Sequence, residues 1–271
     1  MSAFTTDPAG GNPAGVWIGD ELPPAAEMLR VAAEVGFSET AFLAPAAGRD
    51  RTVRYYSPEK EISFCGHATI ASGVVLGERD GDGKSRLATA VGEVPVEVGL
   101  RDGVRHAALT SVEPRHEPAP PALLADALSA LRWDDGDLDP AIPPARAYAG
   151  AWHLVLAVKS AERLANLDYD YDRLKAIMLA DDLTTLQLIR RESPELIHAR
   201  DPFPVGGVVE DPATGAAAAA LGGYLRDSGR VAAPASFLIR QGEAMGRPSL
   251  LTVDVPPRGG IVVSGAAVPI P

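Results

Sequence analysis

Three short stretches of the chain set polar side chains capable of chemistry among small and apolar residues. "GFSETAFL" (36–43) carries Glu39, "ISFCGHATIAS" (62–72) carries Cys65, Gly66 and His67, and "VEDPATGAAAAAL" (209–221) carries Asp211, Thr214, Gly215 and Ala216. An acid that enters an apolar, strand-like run must be solvated, paired or functional, and this places Glu39 among the candidate proton carriers. His67 reads either as a hydrogen-bonded structural histidine or as a catalyst, and Cys65 either as a small core residue or as a reactive thiol. Asp211 before a helix can simply favour the positive end of the dipole. Thr214 and Gly215 leave backbone N–H groups with no bulky side chain over them, so the same helix start can grip an anion such as a substrate carboxylate, and Gly66 offers the equivalent at an earlier helix. A carboxylic acid that takes and gives a proton, beside a grip on negative charge, suits proton transfer at carbon.

Regular elements must hold these groups in place. "PPAAEMLRVAAEVG" has helical spacing and stops at Gly36; "HATIASGVVLGE", "PALLADALSALRW" and the Ala-rich run after Thr214 also read as helices. "SETAFLAP", "RTVRYYSPE", "VGEVPVEVGL", "VRHAALTSV", "AWHLVLAVKS", "TTLQLIRRE", "ASFLIRQGE", "PSLLTVDVPP" and "GGIVVSGAAVPI" read as strands. The proline-rich, charged segment 113–121 is the best linker candidate. Sliding the chain by 149 positions brings Gly66 onto Gly215, Ala68 onto Ala217, Ala71 onto Ala220, Gly73 onto Gly222 and Leu76 onto Leu225, a trace of internal duplication.

Other classes lack support. With 271 residues, 46% hydrophobic, the chain can bury a core, as one large domain or two smaller ones. A net charge of −11 with no basic run disfavours nucleic acid. No apolar window approaches about 18 residues and no leader pattern opens the chain, so the expectation is a soluble, cytoplasmic protein with no membrane partner. Cys65 is the single cysteine and the five histidines show no metal-binding spacing, so no metal is expected. "GERDGDGKS" misses a phosphate-binding loop by one position and reads as an exposed turn. "DYDYD" (168–172) lacks the glycine of a calcium loop and reads as a solvated helix start.

On "GGNPAGV" (10–16), "GFSETAFL", "VRYYSPEKEISFCGHATIAS" (53–72), "EDPATGAAAAAL" (210–221) and "QGEAMGRPSLL" (241–251), the chain resembles the PhzF-like isomerase family of phenazine biosynthesis, relatives of diaminopimelate epimerase. The resemblance implies an α+β fold of two pseudo-symmetric halves, each a curved, mostly antiparallel sheet around a central helix, with the active site between them. We expect the halves at 1–116 and 117–271, with the final strand packing on the first. The resemblance implies a cofactor-independent isomerase that moves a proton between carbons of a small carboxylate-bearing substrate. By motif, Glu39 matches the acid/base, His67 and Asp211 match substrate-orienting positions, and Gly66, Thr214, Gly215, Ala216 and Cys65 match the binding pocket. A homodimer is one option by analogy. Ala216 stands where the family often has serine, which opens the alternative of an inactive small-acid binding protein. A single cysteine excludes two-thiol racemisation and leaves a Cys65–Asp211 epimerase as a third reading.

Overall fold

The computed structural model describes residues 1–271, which group into two compact units: residues 1–110 with 263–271, and residues 111–262. The first contains β1 (Ser2–Ala3), β2 (Asn12–Ile18), α1 (Ala25–Val35), β3 (Glu39–Pro45), β4 (Arg51–Tyr56), β5 (Glu61–Ile62), α2 (Gly66–Asp80), β6 (Gly83–Thr89), β7 (Gly92–Arg101) and β8 (Val104–Thr110). The second contains β9 (Arg115–Pro118), α3 (Pro121–Leu131), β10 (Ala145–Tyr148), β11 (Trp152–Ala157), α4 (Ala161–Ala165), α5 (Tyr171–Ala180), β12 (Leu183–Ser193), β13 (Leu196–Pro202), β14 (Glu210–Asp211), α6 (Gly215–Asp227), β15 (Ala235–Gln241) and β16 (Ser249–Val255). The last strand, β17 (Val262–Val268), lies almost wholly within the first unit.

In the first unit β2 pairs parallel with β3, β3 antiparallel with β4, β4 parallel with β6, and β6–β7–β8 follow as antiparallel neighbours. β8 meets β17, and β17–β1–β2 close the ring antiparallel, which leaves no sheet edge unpaired around the barrel. Helix α2 packs against β1, β2, β3, β7 and β8. Its sequence explains why it can sit there. His67 through Val74 are all buried, so the helix needs small residues on every side rather than one apolar stripe. A Cβ on Gly73 would stand 2.7 Å from the Ala107 side chain, closer than carbon atoms pack.

The second unit repeats the order. β11 pairs parallel with β12, β12 antiparallel with β13, β13 parallel with β15 and β15 antiparallel with β16, while β9 and β10 extend the sheet on the β11 side. Helix α6 packs on β9, β10, β11 and β16, and a Cβ on Gly222 would meet the Ile261 side chain at 2.9 Å. Gly73 and Gly222, which the 149-residue shift superimposes, therefore do the same job: each lets a central helix approach its sheet. The shift also carries β5 onto β14 residue for residue. Both units thus have the expected α+β architecture of a curved, largely antiparallel sheet with a helix at its centre.

Outer helices cover the remaining apolar faces. Met28 and Ala32 of α1 pack on Phe42 and Tyr56, and Leu123, Leu128, Leu174 and Met178 of α3 and α5 join Leu154, Leu186 and Leu188. Two sequence readings change. The segment 113–121 contains β9, four residues paired with β10, because Pro114 precedes the strand and Pro118 is its last residue, so no proline falls in its interior. "GERDGDGKS" (77–85) is not one exposed turn, since Gly77–Asp80 end α2 and Gly83–Ser85 open β6. The "DYDYD" reading matches, since Asp170 caps α5 by accepting from the Arg173 backbone N–H at 3.1 Å. No helix is long and apolar enough to cross a membrane.

Candidate functional site

The predicted site residues divide between the units, with Glu39, Cys65, Gly66 and His67 in the first and Asp211, Thr214, Gly215 and Ala216 in the second. Within the first unit the chain brings three of them together. Glu39 opens β3, and Cys65 is the N-cap of α2, two residues before His67. Glu39 Oε2 lies 3.3 Å from His67 Nε2, with the Glu39 side chain 13% exposed. Cys65 Sγ lies 3.4 Å from His67 Nδ1, and the Ser38 hydroxyl 3.5 Å from Nε2.

Asn12 completes this arrangement and was not among the predicted site residues. Its side-chain nitrogen is 3.1 Å from His67 Nδ1. An amide nitrogen can only donate, so Nδ1 accepts and the imidazole proton resides on Nε2, the ring nitrogen 3.3 Å from Glu39 Oε2. The signal was present in "GGNPAGV", where a polar side chain begins a strand otherwise made of small and apolar residues. Only the fold shows that its partner is 55 residues away.

Glu39, Cys65 and His67 also offer one carboxylate oxygen, one sulfur and one ring nitrogen, all within 4.8 Å of one another. This set could hold a metal ion, although its members come from positions that no metal-binding spacing rule would join.

In the second unit Asp211, Thr214 and Gln241 form a compact buried network. Thr214 Oγ donates to Asp211 Oδ2 at 2.6 Å. Gln241 donates from Nε2 to the Asp211 carbonyl at 2.8 Å and to Thr214 Oγ at 3.0 Å, while its Oε1 accepts from the Thr214 backbone N–H at 3.2 Å. Both ends of the Gln241 side-chain amide thus serve to fix the turn before α6. Gln241 was another residue missed by sequence reasoning, its only signal being a buried amide at the end of a strand. Gly215 is buried as the first helical residue and Ala216 is partly buried. Helices α2 and α6 share one further feature: no side chain caps either N-terminus and no acid occupies either first turn. The positive end of each dipole is left uncompensated by the helix's own residues.

Chemically, the first cluster places a carboxylate beside a neutral imidazole whose proton position is fixed, a pair suited to exchanging protons with a bound molecule. The second holds a carboxylate rigidly before a helix start.

Comparisons with known proteins find relatives over almost the whole chain. A family described as "phenazine biosynthesis-like protein" matches residues 1–270. The chain is 31% identical to the uncharacterized isomerase YfhB of Bacillus subtilis, over 98% of this chain and 94% of that protein. It is 32% identical to the trans-2,3-dihydro-3-hydroxyanthranilate isomerase of Pseudomonas fluorescens, over 93% of this chain and 87% of the relative. Among solved structures, the phenazine biosynthesis protein of the PhzF family from Bacillus anthracis superimposes with a TM-score of 0.85, at 24% identity, over 98% of this chain and 94% of that one, a likeness of fold. The fold class and the isomerase activity implied by the five motifs therefore hold, and the chain belongs to the PhzF family of phenazine biosynthesis-like isomerases.

Proposed function

We propose that the protein moves a proton between two carbons of a small carboxylate-bearing substrate without a cofactor, with Glu39 as the acid/base. The observation that carries this reading is the Glu39–His67–Asn12 cluster, in which Asn12 lies 3.1 Å from His67 Nδ1 and the other ring nitrogen lies 3.3 Å from the Glu39 carboxylate. In the first step the Glu39 carboxylate accepts a proton from one substrate carbon, and the electron pair left behind is delocalised through the substrate. In the second, the resulting carboxylic acid returns that proton to another carbon, so no proton is gained or lost overall. His67 Nε2–H hydrogen-bonds the carboxylate and keeps it oriented through both steps. Asp211 is assigned a substrate-orienting role, and the uncapped starts of α2 and α6, at Gly66 and Gly215, are assigned to negative charge on the substrate.

A relative of similar length is named for the isomerisation of trans-2,3-dihydro-3-hydroxyanthranilate, a substrate that bears a carboxylate on a small ring. This supports the same substrate class for the present chain, while Ala216 removes any side-chain hydroxyl from the second position of α6. The test is incubation in heavy water with a panel of small cyclic and amino carboxylic acids, following carbon-bound hydrogens by NMR. Enzyme-dependent loss or migration of a carbon-bound proton is expected for at least one member. Saturable binding of a panel member with no exchange at any carbon would contradict the reading and leave a binding protein in its place.

A further inference from the structure

Behind Asp211 lies a second carboxyl that the reaction above does not use. Asp201 is fully buried on β13, and the β13–β14 register sets it directly across from Asp211, so the two side chains share one face. No strict hydrogen bond fixes either Asp201 oxygen, but the Thr214 and Thr185 hydroxyls lie beside the carboxyl, close enough to act on its charge. Its surroundings are polar but hold no cation for it. Thr185 and Gln187 of β12 and His153 of β11 are all fully buried, and His153 Nδ1 meets the Thr185 hydroxyl at 2.8 Å. Burial pushes the His153 pKa down to about 3, so this ring is neutral. Asp211 and Glu210 bring negative charge from β14, and the Arg200 guanidinium is committed to Glu210 through two hydrogen bonds of 3.0 and 2.6 Å.

The direction of the hydrogen bonds at Thr214 decides what Asp201 can be. A threonine hydroxyl has one proton and two lone pairs. The proton of Thr214 is given to Asp211, and one lone pair accepts from Gln241. What remains for Asp201 is a lone pair, which repels a carboxylate and accepts from a carboxylic acid. We propose that Asp201 is held as a neutral acid that donates its proton to Thr214 Oγ, forming a one-way relay from Asp201 through Thr214 to Asp211. The relay leaves Asp211 as the single ionised acceptor of the trio and locks its orientation. Burial first, and the charges of Asp211 and Glu210 after it, raise the Asp201 carboxyl well above the usual carboxylate range, while the Thr214 and Thr185 hydroxyls act the other way. Asp201 is a positioning residue, and the functional half of this inference rests on the substrate-orienting role proposed for Asp211.

Infrared spectroscopy of the intact protein at neutral pH tests the proton assignment without reference to activity. The wild type is expected to show the C=O stretch of a protonated carboxylic acid, and Asp201→Asn to lack it. A wild-type spectrum without that band, or a band that survives in Asp201→Asn, would overturn the proposal. Kinetics test the relay. Asp201→Asn keeps a neutral donor and is expected to stay close to wild type, while Asp201→Ala removes the donor and is expected to raise KM by about tenfold, the worth of one hydrogen bond, with a smaller effect on kcat. Equal losses in the Asn and Ala variants would rule out donation to Thr214. If the band behaves as expected while Asp211→Asn leaves KM unchanged, the proton assignment stands and the substrate role of Asp211 falls.

Discussion

The two units carry the same ion pair in two different environments, and the contrast shows how one repeated arrangement of strands and helix holds two different sets of polar groups. In the first unit Arg54 of β4 donates from Nε and Nη2 to both oxygens of Glu61 on β5, at 2.7 and 2.6 Å. In the second, Arg200 of β13 makes the same fork to Glu210 on β14. The first pair is roughly a third exposed, with side chains at 34% and 39%, whereas the second is shielded, at 15% and 3%. Each pair clamps the short strand that leads into a central helix. In the first unit that strand is followed by Cys65 and His67, beside Glu39, and in the second it contains Asp211 and leads to Thr214. The carboxylate with a proton-bearing partner thus belongs to one unit, and the rigid, buried carboxylate belongs to the other.

Breaking the clamps separately is the strongest structural probe of this difference. Arg200→Ala is expected to destabilise the protein by about 3–5 kcal/mol, because it leaves Glu210 buried without its partner. Chemical denaturation measures this, and a loss below about 1 kcal/mol would mean that the two clamps are equivalent. His153 gives a pH signature to the second unit. Its folded-state pKa of about 3 lies below the unfolded value of about 6.5, so the unfolded chain binds the extra proton first. Stability is therefore complete above the unfolded value and falls as pH drops toward 3, by about 1.4 kcal/mol per pH unit. His153→Gln should remove that component from the acid side of a stability–pH curve, and an unchanged curve would contradict the burial of a neutral ring.

Asp201 has the opposite sign. Its folded-state pKa is raised, so the native state holds the extra proton. Its contribution is fully present below the unfolded value of about 3.9 and is lost as pH rises toward the folded value. Asp201→Asn should therefore raise the Tm at neutral pH, and the gain should vanish as pH falls toward 4, which thermal melts across that range can follow. The smallest effect is expected at the exposed clamp. Arg54→Ala should cost only about 0.2–1 kcal/mol by the same denaturation measurement.

Much of this architecture is legible in the sequence, for identifiable reasons. The spacing of Gly66 and Gly73 against Gly215 and Gly222 survives at a constant shift because both central helices face the same steric demand. Most strands were visible through alternation. β13 was missed because "LIHARDP" places an aspartate at a buried position and ends in proline, which hides its period of two. The paired clamps were hidden for a different reason. Glu61 follows Arg54 by seven residues, and Glu210 follows Arg200 by ten, so no constant shift aligns both partners. Glu39, His67 and Asp211 could be singled out as polar residues at the borders of apolar elements. Asn12 and Gln241 could not, because they act through hydrogen bonds to residues 55 and 30 positions away, and neither could Asp201, because only the folded sheet sets it across from Asp211.

The division of roles between the carboxylates is tested most directly by hydrogen wash-in from heavy water, with binding measured in parallel, for the wild type, Glu39→Gln and Asp211→Asn. The account predicts that Glu39→Gln still binds substrate but loses wash-in and turnover by about 10²–10⁴-fold, while Asp211→Asn weakens binding and leaves residual exchange. Wash-in at the wild-type rate in Glu39→Gln would contradict it, because the proton would then have another carrier.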